Sequence, residues 1–259
     1  MRREKSNYVI QSVSHALDVL EQFTGDPDEL GVTELSKRLK LHKNNVFRLL
    51  ATLEARGYID QNKVTENYRL GIRCLRLGQR YVGQTGLLRQ ARPIMAEVVK
   101  ASSETAFLAV MNGGSVVPLE TVEAEQPVRL VSRLGDLLPL HCTAAGKMLL
   151  ALADEEVFNV LPERLPKFTE TTITERQALS THLRAVAKQG YALEMGEHTT
   201  DVHAIAVPVR DYTGTVVGSL TLAGPAHRLP AARIERDLVA LMLKAGIDLS
   251  ARLGFDTSR

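Results

Sequence analysis

The spacing of four apolar residues between Asn44 and Arg56 constrains this chain more than any other feature. Val46, Leu49, Leu50 and Leu53 recur at i, i+3, i+4 and i+7, which places them on one face of a helix. Gly57 follows at the position where glycine commonly closes a helix. Just upstream, Leu35 and Leu39 stand four apart in a shorter segment predicted to be helical from Thr33, whose hydroxyl suits the free N–H groups of a helix start. Leu41, His42 and Lys43 form the turn between the two. Downstream, Tyr58-Ile59 and Tyr68-Arg69-Leu70 read as a hairpin with Gln61-Asn62-Lys63 toward its tip. An earlier helix, Val13 to Phe23, offers Val13, Ala16, Leu17, Leu20 and Phe23 as a third packing face. Three short helices followed by a hairpin make a winged helix-turn-helix.

In that motif the second helix of the pair presents its N-terminal residues to base edges in the major groove. Here those residues are Asn44, Asn45 and Arg48, with His42 and Lys43 just before them. Arginine can pair with both acceptors of guanine, and asparagine with the donor and acceptor of adenine. Arg48 and Asn45 are the expected base readers. Arg38, Lys40 and Lys43 are placed for phosphates, and Lys63 on the hairpin for a minor groove or phosphate. With Thr33, His42 and Asn44 these complete the candidate DNA-binding set. A single recognition helix covers few base pairs, so a two-fold dimer on two half-sites is expected.

Charge supports this division modestly. Residues 1–90 carry 15 Lys and Arg against 10 Asp and Glu, whereas residues 91–259 carry 17 against 20. A basic front joined to a mildly acidic rear suits a DNA reader attached to something else. The two cysteines, Cys74 and Cys142, make no disulfide framework, and no His/Cys cluster has zinc-like spacing. The expected setting is therefore the reducing cytoplasm. Met1 to Asn7 is not followed by the apolar run of a signal peptide. No stretch approaches the roughly 20 apolar residues that span a bilayer, so no membrane partner is expected.

Beyond Leu70 a connecting helix is expected, with Cys74, Leu77 and Tyr81 on one face; Gly83 and Gly86 mark a joint. A helix from Leu87 to Ala101 follows. From Glu104 the pattern changes. Thr105 to Val110 and Ser115 to Glu120 are apolar runs around Asn112-Gly113-Gly114, a hairpin signal. Val128 to Val131 reads as another strand. Helices are expected from about Ala145 to Leu152, from Thr174 to Gln189 and from about Ala231 to Leu253. Strands are expected at Ala204 to Val209 and Val216 to Ala223. Strands in hairpins with helices inserted and appended indicate an α+β fold with an antiparallel sheet. The expected organisation is a DNA-binding domain at 1–71, a linker helix at 72–90 and a rear domain at 91–259.

Several runs carry a resemblance to a known family. They are Ser12 to Leu20, Leu41 to Leu50 and Leu53 to Ile59 in the front. In the rear they are Leu138 to Lys147, Gly190-Tyr191-Ala192, Glu197, Ile205 to Val209 and Gly224-Pro225. Their order and content resemble the IclR-type transcriptional regulators. Most members carry proline and a small hydroxyl residue where this chain has His42 and Asn44-Asn45. The resemblance implies a GAF-like effector domain, a dimer that often pairs into a tetramer, and control by a small-molecule effector. It implies a ligand site at Thr143, Ala144 and Ala145, where a helix opens beside the sheet. A helix N-terminus with small residues admits an anion to the backbone. Glu194 matches an acidic ligand contact of the family. Asp201, His203 and Ala204 precede or open the penultimate strand, with Asp201 and Ala204 standing where members often have glycine and cysteine. Thr221 matches a hydroxyl position on the last strand, and Ala223 replaces a second hydroxyl. A small organic acid is the expected effector.

Enzymatic chemistry finds little support. His141-Cys142 are adjacent on a segment read as extended, where neighbours point to opposite faces. Ala144-Ala145-Gly146-Lys147 lacks the first glycine and the following hydroxyl of a phosphate-binding loop. Lys147 is expected on a helix face or in a salt bridge, and no cofactor motif appears. The alternative is a metabolite-binding or hydrolytic module whose winged helix contacts protein.

Overall fold

The computed structural model describes residues 9–24, 27–84, 86–131 and 134–256. Met1 to Asn7 and the side chain of Tyr81 lie outside that description. The chain divides into two compact units, Met1–Gln84 and Thr85–Arg259.

The first unit contains α1 (Gln11–Glu21), α2 (Val32–Leu39), α3 (Lys43–Ala55), β1 (Ile59–Gln61), β2 (Tyr68–Leu70) and α4 (Ile72–Gln84). Its core is Val19, Phe23, Leu30, Leu35, Val46, Leu50, Leu53, Ile59 and Tyr68. The stripe expected on α3 is there: Val46 and Leu50 are fully buried, Leu53 is buried and Leu49 packs at the margin. Gly57 takes the left-handed conformation, φ +72°, directly after the α3 cap. The face expected on α1 is rotated. Val13 and Leu17 are exposed, together with Val9 and Ile10, while Val19, Phe23, Ala16 and Leu20 turn inward. Two apolar faces alternate along this helix, and periodicity does not choose between them. Thr33 does not cap α2; the cap is Gly31, and Thr33 is exposed in the first turn. The wing gains a third edge, because Leu30 and Tyr68 exchange both backbone hydrogen bonds at 3.0 Å.

The second unit is built on a six-stranded antiparallel sheet in the order β5-β4-β3-β8-β7-β6. These strands are β3 (Thr105–Asn112), β4 (Ser115–Val122), β5 (Leu138–Pro139), β6 (Ala192–Met195), β7 (Val202–Arg210) and β8 (Val216–Pro225). Helix α5 (Gly86–Ser102) and the C-terminal helical run, α9 (Ala231–Arg233), a π-helical turn (Ile234–Leu238) and α10 (Val239–Arg252), belong with one face. Their core includes Met95, Leu108, Ile205, Leu222 and Met242. Helices α6 (Ala144–Ala151) and α8 (Arg176–Gln189) pack on the other face, over Phe107, Ala109, Ala204, Ala206 and Ala223. The short helix α7 (Glu155–Asn159) joins them. The period-2 alternation of each strand thus divides its residues between two cores.

Two expectations need correction here, and two elements were not expected. Val128 to Val131 is not a strand; Val128 and Val131 are exposed on a loop, and the outer strand is β5. Helix α7 and strand β6 were not anticipated, because five residues and four residues leave too little periodicity to read. His141 and Cys142 lie in a turn rather than an extended run.

Candidate nucleic-acid interface and ligand cavity

Helix α3 starts at Lys43 because His42, in extended backbone, turns its own ring onto the helix: Asn44 N–H donates to His42 Nδ1 at 3.4 Å. The preceding turn is closed by Ser36, whose hydroxyl donates to Leu41 O at 2.6 Å. Lys40 sits in that turn at φ 54°, a left-handed conformation that side chains other than glycine adopt at some cost. With the apolar stripe buried, the opposite face of α3 carries Asn44, Asn45 and Arg48, all exposed. Lys40, His42, Lys43 and Lys63 are exposed as well. Arg38 is engaged by Glu34 at 3.0 Å across one turn of α2. The wing tip is braced: Glu29 accepts from Asn62 Nδ2 at 2.9 Å and from Thr65 Oγ1 at 2.9 Å. Those hydrogen bonds hold the Glu29 carboxyl below its ordinary range.

One residue of this face was missed. Phe47 is 54 % exposed on the same side as Asn44 and Arg48. An exposed aromatic side chain among polar neighbours suits contact with a thymine methyl group. The signal was in the sequence: Phe47 falls between the buried positions Val46 and Leu50, off the apolar stripe.

The second unit holds a cavity of about 220 Å³ between α6 and the sheet. Its floor is a row across three strands, since Glu194 pairs with Ala204 and Ala204 with Ala223. Phe107, Pro118 and Val202 extend the floor, and Thr143 and Ala144 form the wall at the start of α6. Leu130, Val131, Asp136 and Leu138 close one side, His198 and Thr199 the other. Thr143 caps α6, accepting from Gly146 N–H at 3.1 Å and donating to Pro139 O at 2.7 Å. Gly146 is required there, because a Cβ would lie 2.3 Å from Leu140 O.

Glu194 is the charged group in the floor. It is 6 % exposed, and Ala144 N–H donates to its Oε2 at 3.3 Å. Burial pushes its carboxyl up to about 7, against the opposing pull of the Ala144 amide and of Lys147. One helical turn further on, Lys147 is fully buried and its Nζ lies 2.5 Å from Glu197 Oε1. Burial lowers the imidazoles of His141, His182 and His198, which favours their neutral forms. Cys142 is fully buried and its thiol is pushed up to about 12, so it is no nucleophile.

Of the expected ligand residues, Thr143, Ala144, Glu194 and Ala204 line the cavity. Ala145 is buried in the α6 core instead. Thr221 points to the same side of the sheet, paired with Phe107 and Ala206, but is not part of the lining; its buried hydroxyl has no partner among the described residues. His203 faces the opposite core, where its Nδ1 meets Leu229 O at 2.8 Å. Adjacent strand residues point to opposite faces, so His203 and Ala204 cannot both line the cavity. Asp201 lies outside the lining as well, beside Pro225 and His227.

A winged helix joined to a sheet domain with a half-open cavity is the architecture of a ligand-responsive transcription regulator. Residues 12–63 match the IclR helix-turn-helix domain, and residues 79–251 match the family described as bacterial transcriptional regulator IclR C-terminal. The chain belongs to the IclR family of transcriptional regulators. It is 34% identical to the HTH-type transcriptional regulator XynR of Escherichia coli K12, over 95% of this chain and 98% of that one. It is 29% identical to the HTH-type transcriptional repressor AllR of the same strain, over 94% and 90%. It also resembles the crystal structure of an IclR homolog complexed with 4-hydroxybenzoate from Microbacterium hydrocarbonoxydans, with TM-score 0.79 and 26% identity over 93% and 98%. Among the described residues no helix is long and apolar enough to cross a membrane.

Proposed function

We propose that this regulator is a repressor that binds operator DNA as a two-fold dimer and changes its affinity when a small organic acid enters the cavity beside α6. The observation that carries the reading is the outward row of Asn44, Asn45 and Arg48 on a helix whose other side is sealed by Val46, Leu50 and Leu53. Arg48 and Asn45 read bases; Phe47 meets a thymine methyl; Lys40, Lys43, Arg38 and Lys63 take phosphates. Residues 1–71 read DNA, 72–90 link, and 91–259 bind the effector and a second copy. The exposed apolar side chains of Val13 and Leu17 on α1 give the DNA-reading unit a surface for its own copy. The name of AllR supports repression, and the acid bound by the homolog supports the effector class. The setting is the cytoplasm.

Effector control requires that the ligand favour one arrangement of the paired DNA-reading units over another. The test is a gel shift of the full chain with the intergenic DNA upstream of its own gene, with and without added acids. A shifted band that random-sequence DNA does not compete away, and that an acid dissolves, supports the proposal. Equal competition by random DNA overturns it.

A further inference from the structure

The cavity already contains a carboxyl group of its own. Glu194, more than nine-tenths buried, holds the Ala144 N–H at 3.3 Å, which is where the first turn of α6 meets the cavity. Free N–H groups at a helix start are the natural seat for a ligand carboxylate. A ligand anion arriving there meets Glu194 in a low-dielectric space, and two carboxylates in one such site cannot both stay ionised without large cost. The described lining adds a second acid, Asp136.

We propose, resting on the reading of this cavity as the effector site, that the effector is a carboxylate that replaces Glu194 at the Ala144 amide, and that Glu194 takes one proton from solvent as it is displaced. The ligand arrives as the anion, the proton comes from water or buffer, and Glu194 becomes a neutral hydrogen-bond donor to the ligand. No bond other than O–H forms or breaks.

The groups facing Glu194 suit this exchange. From α6, Lys147 is committed to Glu197 at 2.5 Å. From the turn before α6, the Cys142 thiol stays protonated at neutral pH. On its own segment Glu197 opposes ionisation of Glu194, and His198 is held toward its neutral form by burial. Across the cavity stands Asp136. Glu194 itself, with its carboxyl pushed up to about 7 by burial, needs little further persuasion to accept a proton. Glu194 and Glu197 are three residues apart on one segment and grip Ala144 and Lys147, three apart on α6. Displacing Glu194 therefore loosens the end of α6 at the cavity while Lys147 still anchors the next turn.

The experiment uses the full chain with 13C-methyl alanine, because Ala144, Ala204 and Ala223 all line the cavity. The probes are 4-hydroxybenzoate, glycolate and gluconate, each against its amide, titrated at pH 6, 7 and 8. At least one acid is expected to shift the cavity methyls, with its Kd rising about fivefold from pH 7 to pH 8. Calorimetry in two buffers of different ionisation heat should report uptake of about one proton at pH 8. In E194Q the acid should bind with little dependence on pH and without proton uptake. Acid binding that is equally tight at all three pH values in the wild type overturns the proposal, as do shifts by the amides alone; both leave the cavity as the ligand site. Shifts by neither series overturn the proposal and the cavity reading together.

Discussion

Lys147, with no exposed surface, places its ammonium 2.5 Å from one oxygen of Glu197, whose second oxygen is buried with no partner among the described residues. The pair fastens α6 to the segment that follows β6. Removing one member of a buried pair strands a charge and costs about 3–5 kcal/mol, whereas replacing both by apolar groups is often neutral. Lys147→Met should therefore lose about that much in urea unfolding, and Lys147→Met with Glu197→Leu should recover most of it. A single variant as stable as the wild type would show the pair to be slack.

Arg48→Ala should weaken operator binding by about 1–3 kcal/mol and relax preference at one base pair. Lys43→Ala should weaken binding to all sequences and lower the salt slope by about 0.9. Anisotropy titrations over a range of salt on operator variants separate the two. A sequence-selective loss in Lys43→Ala would move that residue to the base readers.

Phe47→Ala should cost about 0.8 kcal/mol or more where the side chain covers a methyl group. Replacing single thymines by uracil in the operator should reproduce the loss at one position in the wild type and have no effect there in the variant. Independent, additive losses would argue against a shared contact.

Thr33→Ala should change stability by less than about 0.5 kcal/mol, because the residue is exposed and Gly31 holds the cap position. A loss near 1 kcal/mol, the usual value for a capping threonine, would restore Thr33 to that role.

Glu194 has a signature in stability against pH. Burial raises its carboxyl from 4.5 to about 7, so between those values the folded chain holds more protons than the unfolded one. Stability contributed by this group is present below the unfolded value and is lost as pH rises through about 7, by up to roughly 3 kcal/mol. His141, His182 and His198, lowered by burial, act the other way: their contribution is lost as pH falls. The difference between wild type and Glu194→Gln isolates the first effect. That difference should favour the wild type less at pH 8 than at pH 5; a flat difference would mean Glu194 is solvated.

How far the chain could be read before its fold was known varies with the number of turns or strand positions available. Helix α3 was legible because its 13 residues set a four-member stripe against a polar face and end before a left-handed glycine. Helix α1 was found but turned to the wrong side, since Val13 and Leu17 compete with Val19 and Phe23 for the core. The start of α6 and Glu194, both singled out from the sequence, meet in the structure through the Ala144 N–H. His203 and Thr221 lie outside the cavity lining, and nothing local in the sequence showed it: strand phase turns His203 to the opposite face, and Thr221 is buried beside Phe107. The Lys147–Glu197 partnership was out of reach, since 50 residues separate its members and no local pattern pairs them.

The sheet order has a consequence for synthesis. Strand β3 pairs with β8, so Thr105 must wait for Ala223 before the centre of the sheet exists. The nine core residues of the first unit all lie between Val19 and Tyr68. Contacts of short range form early, and chains acquire structure from the N-terminus as they leave the ribosome. The front unit thus has every residue of its core in the emerged chain while the strands that must close the sheet of the second unit are still being translated.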